Sequence, residues 1–235
     1  VKNASWWARL DGDEMHLRAY ADGILLELAL EAQKPPVIHG IDGISQKAAG
    51  TGQASHYYSM TRMATSGLVS FNGIAAGVEG ESWMDHEFGT NQLAPDQVGW
   101  DWFSLQLDTG EEIMLYQLRR RDGTIDDNSS GTIVATDGGG THLPLRAFTV
   151  QSLREWRSPR SGAVYRLDWN IRIPEEDADL RITPVMTDQE LVTTRSTGIA
   201  YWEGAVEIDG IWHGRSVGGR GYVELTGYGD YRPGV

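Results

Sequence analysis

Apolar and polar residues alternate along most of this 235-residue chain in short runs, and glycine-containing pairs interrupt them. Met15-His16-Leu17-Arg18-Ala19-Tyr20 and Ile24-Leu25-Leu26-Glu27-Leu28-Ala29-Leu30 flank Asp22-Gly23. Trp102-Phe103-Ser104-Leu105-Gln106-Leu107 and Glu112-Ile113-Met114-Leu115-Tyr116-Gln117-Leu118 flank Asp108-Thr109-Gly110. Tyr165–Ile173, Ala205–Ile208 before Asp209-Gly210, and Tyr222–Leu225 continue the pattern. Period-2 runs joined by such turns predict antiparallel hairpins, because successive strand side chains point to opposite faces. No segment sustains the spacing of an amphipathic helix; residues 151–156 leave a single helical turn open. With 29 glycines marking turns, the expected class is all-β, a barrel or sandwich.

The strands repeat. Gly67–Gly73 aligns with Gly204–Gly210, and Val78-x-Gly80-x-x-Trp83-Met84-Asp85 aligns with Val217-x-Gly219-x-x-Tyr222-Val223-Glu224. Upstream, Trp7 and Pro36-Val37 match Trp156 and Pro184-Val185 in the same order. Order-preserving matches with small drifts predict two copies of one β-domain, divided here as residues 1–94 and 95–235. The first copy is the shorter and lacks counterparts of the early strands of the second. An open half-barrel exposes strand edges, so the chain is expected either to enter inside a longer first domain or to share strands between copies.

A formal charge of −13 repels polyanions, which excludes nucleic acid as a partner. No apolar run reaches the length of a membrane span. The absence of cysteine removes disulfides, thiolate nucleophiles and cysteine metal sites. The histidines, at 16, 39, 56, 86, 142 and 213, are too scattered for a ligand set, so no metal is expected. Asp126-Asp127-Asn128 lacks the spacing of a calcium loop and reads as solvated. Oligomeric state and compartment are not legible.

The densest set of functional groups is Val78–Gly89. On a strand, Trp83, Asp85 and Glu87 share one face and Met84, His86 and Phe88 the other. A carboxyl beside an aromatic in an apolar barrel has its protonated form favoured by desolvation and can donate a proton. The neighbouring ring can stabilise a developing cation. The alternative is that Asp85 and Glu87 satisfy backbone groups or an arginine. His56 and Tyr58, on one face of Ser55–Met60, either line a pocket or form a barrel rim. Trp100 and Trp102 belong to an aromatic-rich second copy whose rings are core or suit a flat, polyene-like ligand. Gly214-Arg215-Ser216-Val217-Gly218 fits the serine-hydrolase elbow in letters, but that elbow needs a helix after the serine and none is expected here.

Ser55–Ser59, Gly80–Gly89, Gly99–Phe103 and Tyr201–Val206 together resemble the carotenoid 1,2-hydratase (hydroxyneurosporene synthase) and AttH-like family, from about Trp6 to Tyr228. The resemblance implies two tandem lipocalin-like antiparallel β-barrels, the first incomplete at its N-terminus, and a periplasmic or secreted setting for such proteins. It also implies acid-catalysed hydration, or a related isomerisation, of an isoprenoid-like alkene without a cofactor. The family's acid falls on Asp85, and its pocket histidine and aromatics fall on His56, Tyr58 and Trp83. The residue identities at Tyr58 and Trp83 depart from those of the carotenoid enzymes, which leaves the substrate open. A non-catalytic carrier of a lipid or polyene is the alternative, since that is the ordinary use of a lipocalin barrel. The site is expected where the Asp85 strand closes the first copy and Trp100-Asp101-Trp102 opens the second.

Overall fold

A computed structural model describes residues 1–12, 14–90, 93–193 and 200–229. In chain order the strands are β1 (Lys2–Asn3), β2 (Trp6–Asp11), β3 (Glu14–Ala21), β4 (Ile24–Ala32), β5 (Val37–Ile38), β6 (Ser45–Gln46), β7 (Ala54–Phe71), β8 (Ile74–Gly89) and β9 (Gln97–Leu107). They continue with β10 (Glu112–Arg120), β11 (Ser130–Val134), β12 (Gly140–Pro144), β13 (Thr149–Arg157), β14 (Val164–Ile173), β15 (Ala178–Pro184), β16 (Glu190–Val192), β17 (Ala200–Trp212) and β18 (Arg215–Leu225). Two single 3₁₀ turns are the only helical elements among the described residues, and no helix is long and apolar enough to cross a membrane.

The strands form two curled antiparallel sheets, each a half-barrel, as expected of tandem lipocalin-like domains. The first runs β1-β2-β3-β4-β7-β5, with β6 and β8 also pairing β7. The second runs β12-β11-β10-β9-β18-β17-β15-β14-β13, with β16 on β17. By compactness the chain divides into one unit of Val1–Val37 with Ser59–His86, and another of Ile38–Tyr58 with Glu87–Val235. The segment from 38 to 58 therefore packs with the second unit although its strands pair in the first sheet.

Turn chemistry shapes the first unit's hairpins. Asp22-Gly23 joins β3 to β4 and Asn72-Gly73 joins β7 to β8, with φ of +49° and +80° in the first and +49° and +82° in the second. Two successive positive φ values match the right-handed twist of the flanking strands, and Asn/Asp-Gly adopts them at least cost. Leu30, Val37 and Met63 are this unit's fully buried large apolar side chains among the described residues.

In the second unit, strand alternation sends Phe103, Leu105 and Leu107 of β9 and Ile113 and Leu115 of β10 into a core with Leu167, Trp169 and Ile171 of β14, Leu180 and Ile182 of β15, and Trp202 of β17. Trp169 meets Phe103 edge-on at 5.4 Å and Trp202 at 6.0 Å, an arrangement favoured by the ring quadrupoles. The expected core role of Trp169, Trp202 and Trp212 holds, since each is at most 2% exposed. Residues 151–156 lie in β13, which resolves the open helical turn in favour of a strand.

Asp209-Gly210 is not the turn that the alternation predicts. Both residues lie inside β17, and the turn falls at His213-Gly214, with φ of +50° and +71°. Gly210 is instead a point of close approach, where a Cβ would overlap the Asp179 carbonyl of β15. Gly67 of β7 does the same against the Glu27 carbonyl of β4. The structural counterpart of Gly67 is thus Gly210, not Gly204. Ser216 follows that turn within β18 and is succeeded by strand, not helix, through Leu225, so it lacks the setting of a hydrolase nucleophile.

Candidate functional site

The second unit contains a cavity of about 430 Å³, within the size range of small-molecule sites. Its apolar floor comes from one face of β9 and β10. Phe103 and Leu115 point into the core as a cross-strand pair, so the residues between them in the alternation point the other way. These are the cross-strand pairs Trp102–Tyr116 and Trp100–Leu118, and all four line the cavity. Tyr57, near the start of β7, and Phe88, near the end of β8, add two more rings.

The polar tips of these rings are tied back into the protein. Trp102 Nε1 donates to the Tyr57 hydroxyl at 3.1 Å, and Trp100 Nε1 donates to Glu224 Oε1 at 3.0 Å. The Tyr116 hydroxyl lies 2.9 Å from Ser130 Oγ and 3.1 Å from Ser45 Oγ. The indole N–H groups of Trp100 and Trp102 and the Tyr116 hydroxyl are thus engaged within the protein.

Three polar side chains line the same cavity: Lys47, Ser55 and Glu87. Lys47 Nζ lies 2.7 Å from Glu87 Oε1, and Ser55 Oγ donates to the same oxygen at 2.5 Å. The ammonium also sits 4.1 Å from the centre of the Tyr116 ring and 5.4 Å from that of Tyr57, so two aromatic faces share its charge. Lys47 is held from behind: its carbonyl accepts from Gln97 Nε2 at 2.7 Å, and Gln97 in turn donates to Asp126 at 2.9 Å.

Tyr57 is braced by a buried histidine. The His39 ring packs 4.3 Å from that of Tyr57, and its Nδ1 is 2.9 Å from Thr132 Oγ1. Burial, reinforced by the nearby Lys47 charge, lowers the imidazole pKa from 6.5 to about 3, so His39 is neutral in the folded protein at any ordinary pH. Behind the floor, Asp101 is clamped by Arg119 Nε at 2.9 Å and the Tyr228 hydroxyl at 2.9 Å. Burial raises the Asp101 pKa against the opposing pull of Arg119 and Tyr228.

Trp100 and Trp102, expected as ligand-binding residues from the sequence, are part of this cavity wall. His56 and Tyr58 are not among its lining residues. Alternation along β7 buries Ser55, Tyr57 and Ser59 on one face and leaves His56 exposed on the other, where its Nδ1 lies 3.1 Å from the Gly43 carbonyl and its ring 5.4 Å from Phe88. The pattern Ser55-x-Tyr57-x-Ser59 was the available signal, but alternation alone does not say which of two faces turns inward.

Asp85 and Trp83 lie in β8 within the first unit. They share a face as expected: Trp83 Nε1 donates to Asp85 Oδ1 at 2.7 Å, and Ser59 Oγ donates to the same oxygen. Two donors on one oxygen fix the carboxyl group's orientation. Asp85 is exposed, however, and does not have the desolvated surroundings expected for it from the motif. Its aligned partner Glu224 is likewise tied to an indole, that of Trp100. Among the described residues no group of three or more His, Asp or Glu side chains is placed to hold a metal ion.

No curated protein matches the sequence. Among solved structures, an AttH protein of Nitrosomonas europaea is 34% identical over 97% of this chain and 70% of that one, with a TM-score of 0.89. Kievitone hydratase of Nectria haematococca is 20% identical over 96% of this chain and 69% of that one, with a TM-score of 0.78, and shares the fold. CghA shares it more loosely, at 11% identity and a TM-score of 0.54 over 94% of this chain and 66% of that one. The AttH-like family model matches residues 1–228. With nearly the whole length matched, and an AttH protein above 30% identity, the chain belongs to the AttH-like family.

Proposed function

We propose that this protein binds a large, mostly apolar, π-rich small molecule and protonates a C=C bond of it, with water adding to the resulting cation. The reaction is that of a cofactor-independent hydratase; loss of a proton from a neighbouring carbon instead of water addition gives the related isomerisation. The observation that carries the binding half is the ring-lined cavity of the second unit, formed by Trp100, Trp102, Tyr57, Tyr116 and Phe88. Large aromatic walls suit a planar or polyene ligand through area and stacking.

The chemical half rests on Asp85, with the family and the hydratase fold as support. Asp85 transfers its proton to the alkene carbon; the Trp83 ring, hydrogen-bonded to the same carboxyl group, stabilises the cation. Water attacks the cation and its excess proton returns to the carboxylate, so the balance is alkene plus water to alcohol. A bound apolar ligand that covered the exposed carboxyl would supply the desolvation that the free protein lacks. His56 and Tyr58, which do not line the cavity, are proposed as further ligand-contacting residues.

The test is incubation with acyclic terpenes in ¹⁸O-labelled water. The expected product is heavier by one labelled water, and Asp85→Asn should bind the substrate while losing at least about a hundredfold in rate. Equal turnover by the Asn variant would remove Asp85 from the chemistry. The exposure of Asp85 favours a second reading, a carrier that binds such ligands without transforming them. Binding with no turnover by the wild type, together with an unmodified ligand extracted from natively purified protein, would establish that reading.

A further inference from the structure

We infer that Lys47 and Glu87 form a recognition site for a hydroxyl group on the ligand, and that the cavity of the second unit takes a planar molecule bearing a phenolic or enolic O–H. This rests on the proposal above that the cavity binds a π-rich molecule, and adds the polar feature that selects among such molecules.

Lys47 Nζ forms an ion pair with Glu87 Oε1, and Ser55 Oγ donates a hydrogen bond to the same oxygen. Among the described residues no protein donor reaches Oε2. The Lys47 ammonium has three N–H groups; it pairs with Glu87 Oε1 and also sits over the Tyr116 and Tyr57 rings. Meanwhile the indole and hydroxyl tips of Trp100, Trp102 and Tyr116 are bonded within the protein. Lys47 and Glu87 therefore present a donor and an acceptor side by side at the cavity wall, beside the Tyr57 hydroxyl that accepts from Trp102.

A hydroxyl matches that pair. It donates to Glu87 Oε2 and accepts from Lys47 Nζ, while the ring that carries it lies against Trp102 and Tyr116. An ether at the same place only accepts and leaves Oε2 unpaired. A carboxylate meets Glu87 as a like charge, in a protein whose formal charge is already −13. The Lys47 side chain is 11% exposed and that of Glu87 40%, so the lysine is built into the wall and the glutamate is open to the ligand.

The test uses 2-naphthol, 2-methoxynaphthalene and 2-naphthoate, with binding followed by titration calorimetry on the whole chain. In the wild type, 2-naphthol should bind about tenfold or more tightly than the methoxy analogue, as for a hydrogen bond to a charged acceptor. Glu87→Gln should reduce that preference to within about threefold, because Ser55 and Lys47 orient the amide oxygen and leave only its N–H groups for the ligand. Equal binding of naphthol and ether by the wild type would overturn the inference while leaving cavity binding intact. Tightest binding of 2-naphthoate, or an undiminished hydroxyl preference in Glu87→Gln, would also overturn it. Failure of all three probes to bind would instead defeat the reading of the cavity as a ligand site, and the inference with it. The wild-type comparison decides the matter even if Glu87→Gln does not fold.

Discussion

His39 makes the acid sensitivity of the second unit calculable. Its ring is 1% exposed, packed against Tyr57 and paired with Thr132, and the neighbouring charge is the cation Lys47. The folded state therefore holds the imidazole neutral down to about pH 3, whereas the unfolded chain takes up a proton near pH 6.5. The sign follows from that order. Below pH 6.5 only the unfolded state gains a proton, so stability falls as pH falls, until the folded pKa is reached. Between pH 7.5 and pH 5 the loss attributable to this one group is about 2 kcal/mol, from the ratio of protonated to neutral unfolded chain. The perturbation is His39→Asn, which keeps a group able to bond Thr132 but cannot titrate. Other titrating groups are common to both proteins, and the cost of the altered packing is paid equally at both pH values. The difference between wild type and variant in their pH-induced change in unfolding free energy should thus be about 2 kcal/mol. Urea unfolding followed by tryptophan fluorescence measures it. A double difference below about 0.5 kcal/mol would refute the assignment of His39 as a buried, neutral ring.

Three further outcomes are expected from the same unfolding assay. Trp169→Ala removes a ring that Phe103 and Trp202 both meet, and should cost about 3–5 kcal/mol; a cost near 1 would mean that this core collapses around the loss. The Glu190 side chain is fully buried and accepts hydrogen bonds from Ser158, Ser161 and Tyr165, so Glu190→Ala should cost about 3–5 kcal/mol by stranding those donors, whereas Tyr165→Phe should cost about 1. Gly227→Ala should cost more than about 2 kcal/mol, because φ is +68° there and the added carbon would overlap the Val98 carbonyl; a neutral result would show that this turn can shift.

Much of this molecule is a local property of its sequence. The all-β class, the Asp22-Gly23 and Asn72-Gly73 hairpins and the shared face of Trp83 and Asp85 follow from alternation and from which residues tolerate positive φ, and neighbouring residues alone decide both. The −13 charge is equally a matter of composition. Tertiary structure decided what locality leaves undetermined. Asp209-Gly210 has the composition of a turn, yet the pairing of β15 with β17 runs through both residues, so the ladder overrides the dipeptide and the turn moves to His213-Gly214. Alternation separates Tyr57 from His56 and Tyr58 but is symmetric between faces; only packing of residues 38–58 with β9 and β10 turned Tyr57 inward. Lys47 and Glu87 are 40 residues apart in the chain and have no common motif. Their meeting, and the single carboxylate oxygen that takes both Lys47 and Ser55, depends on long-range strand placement, which period and propensity do not encode.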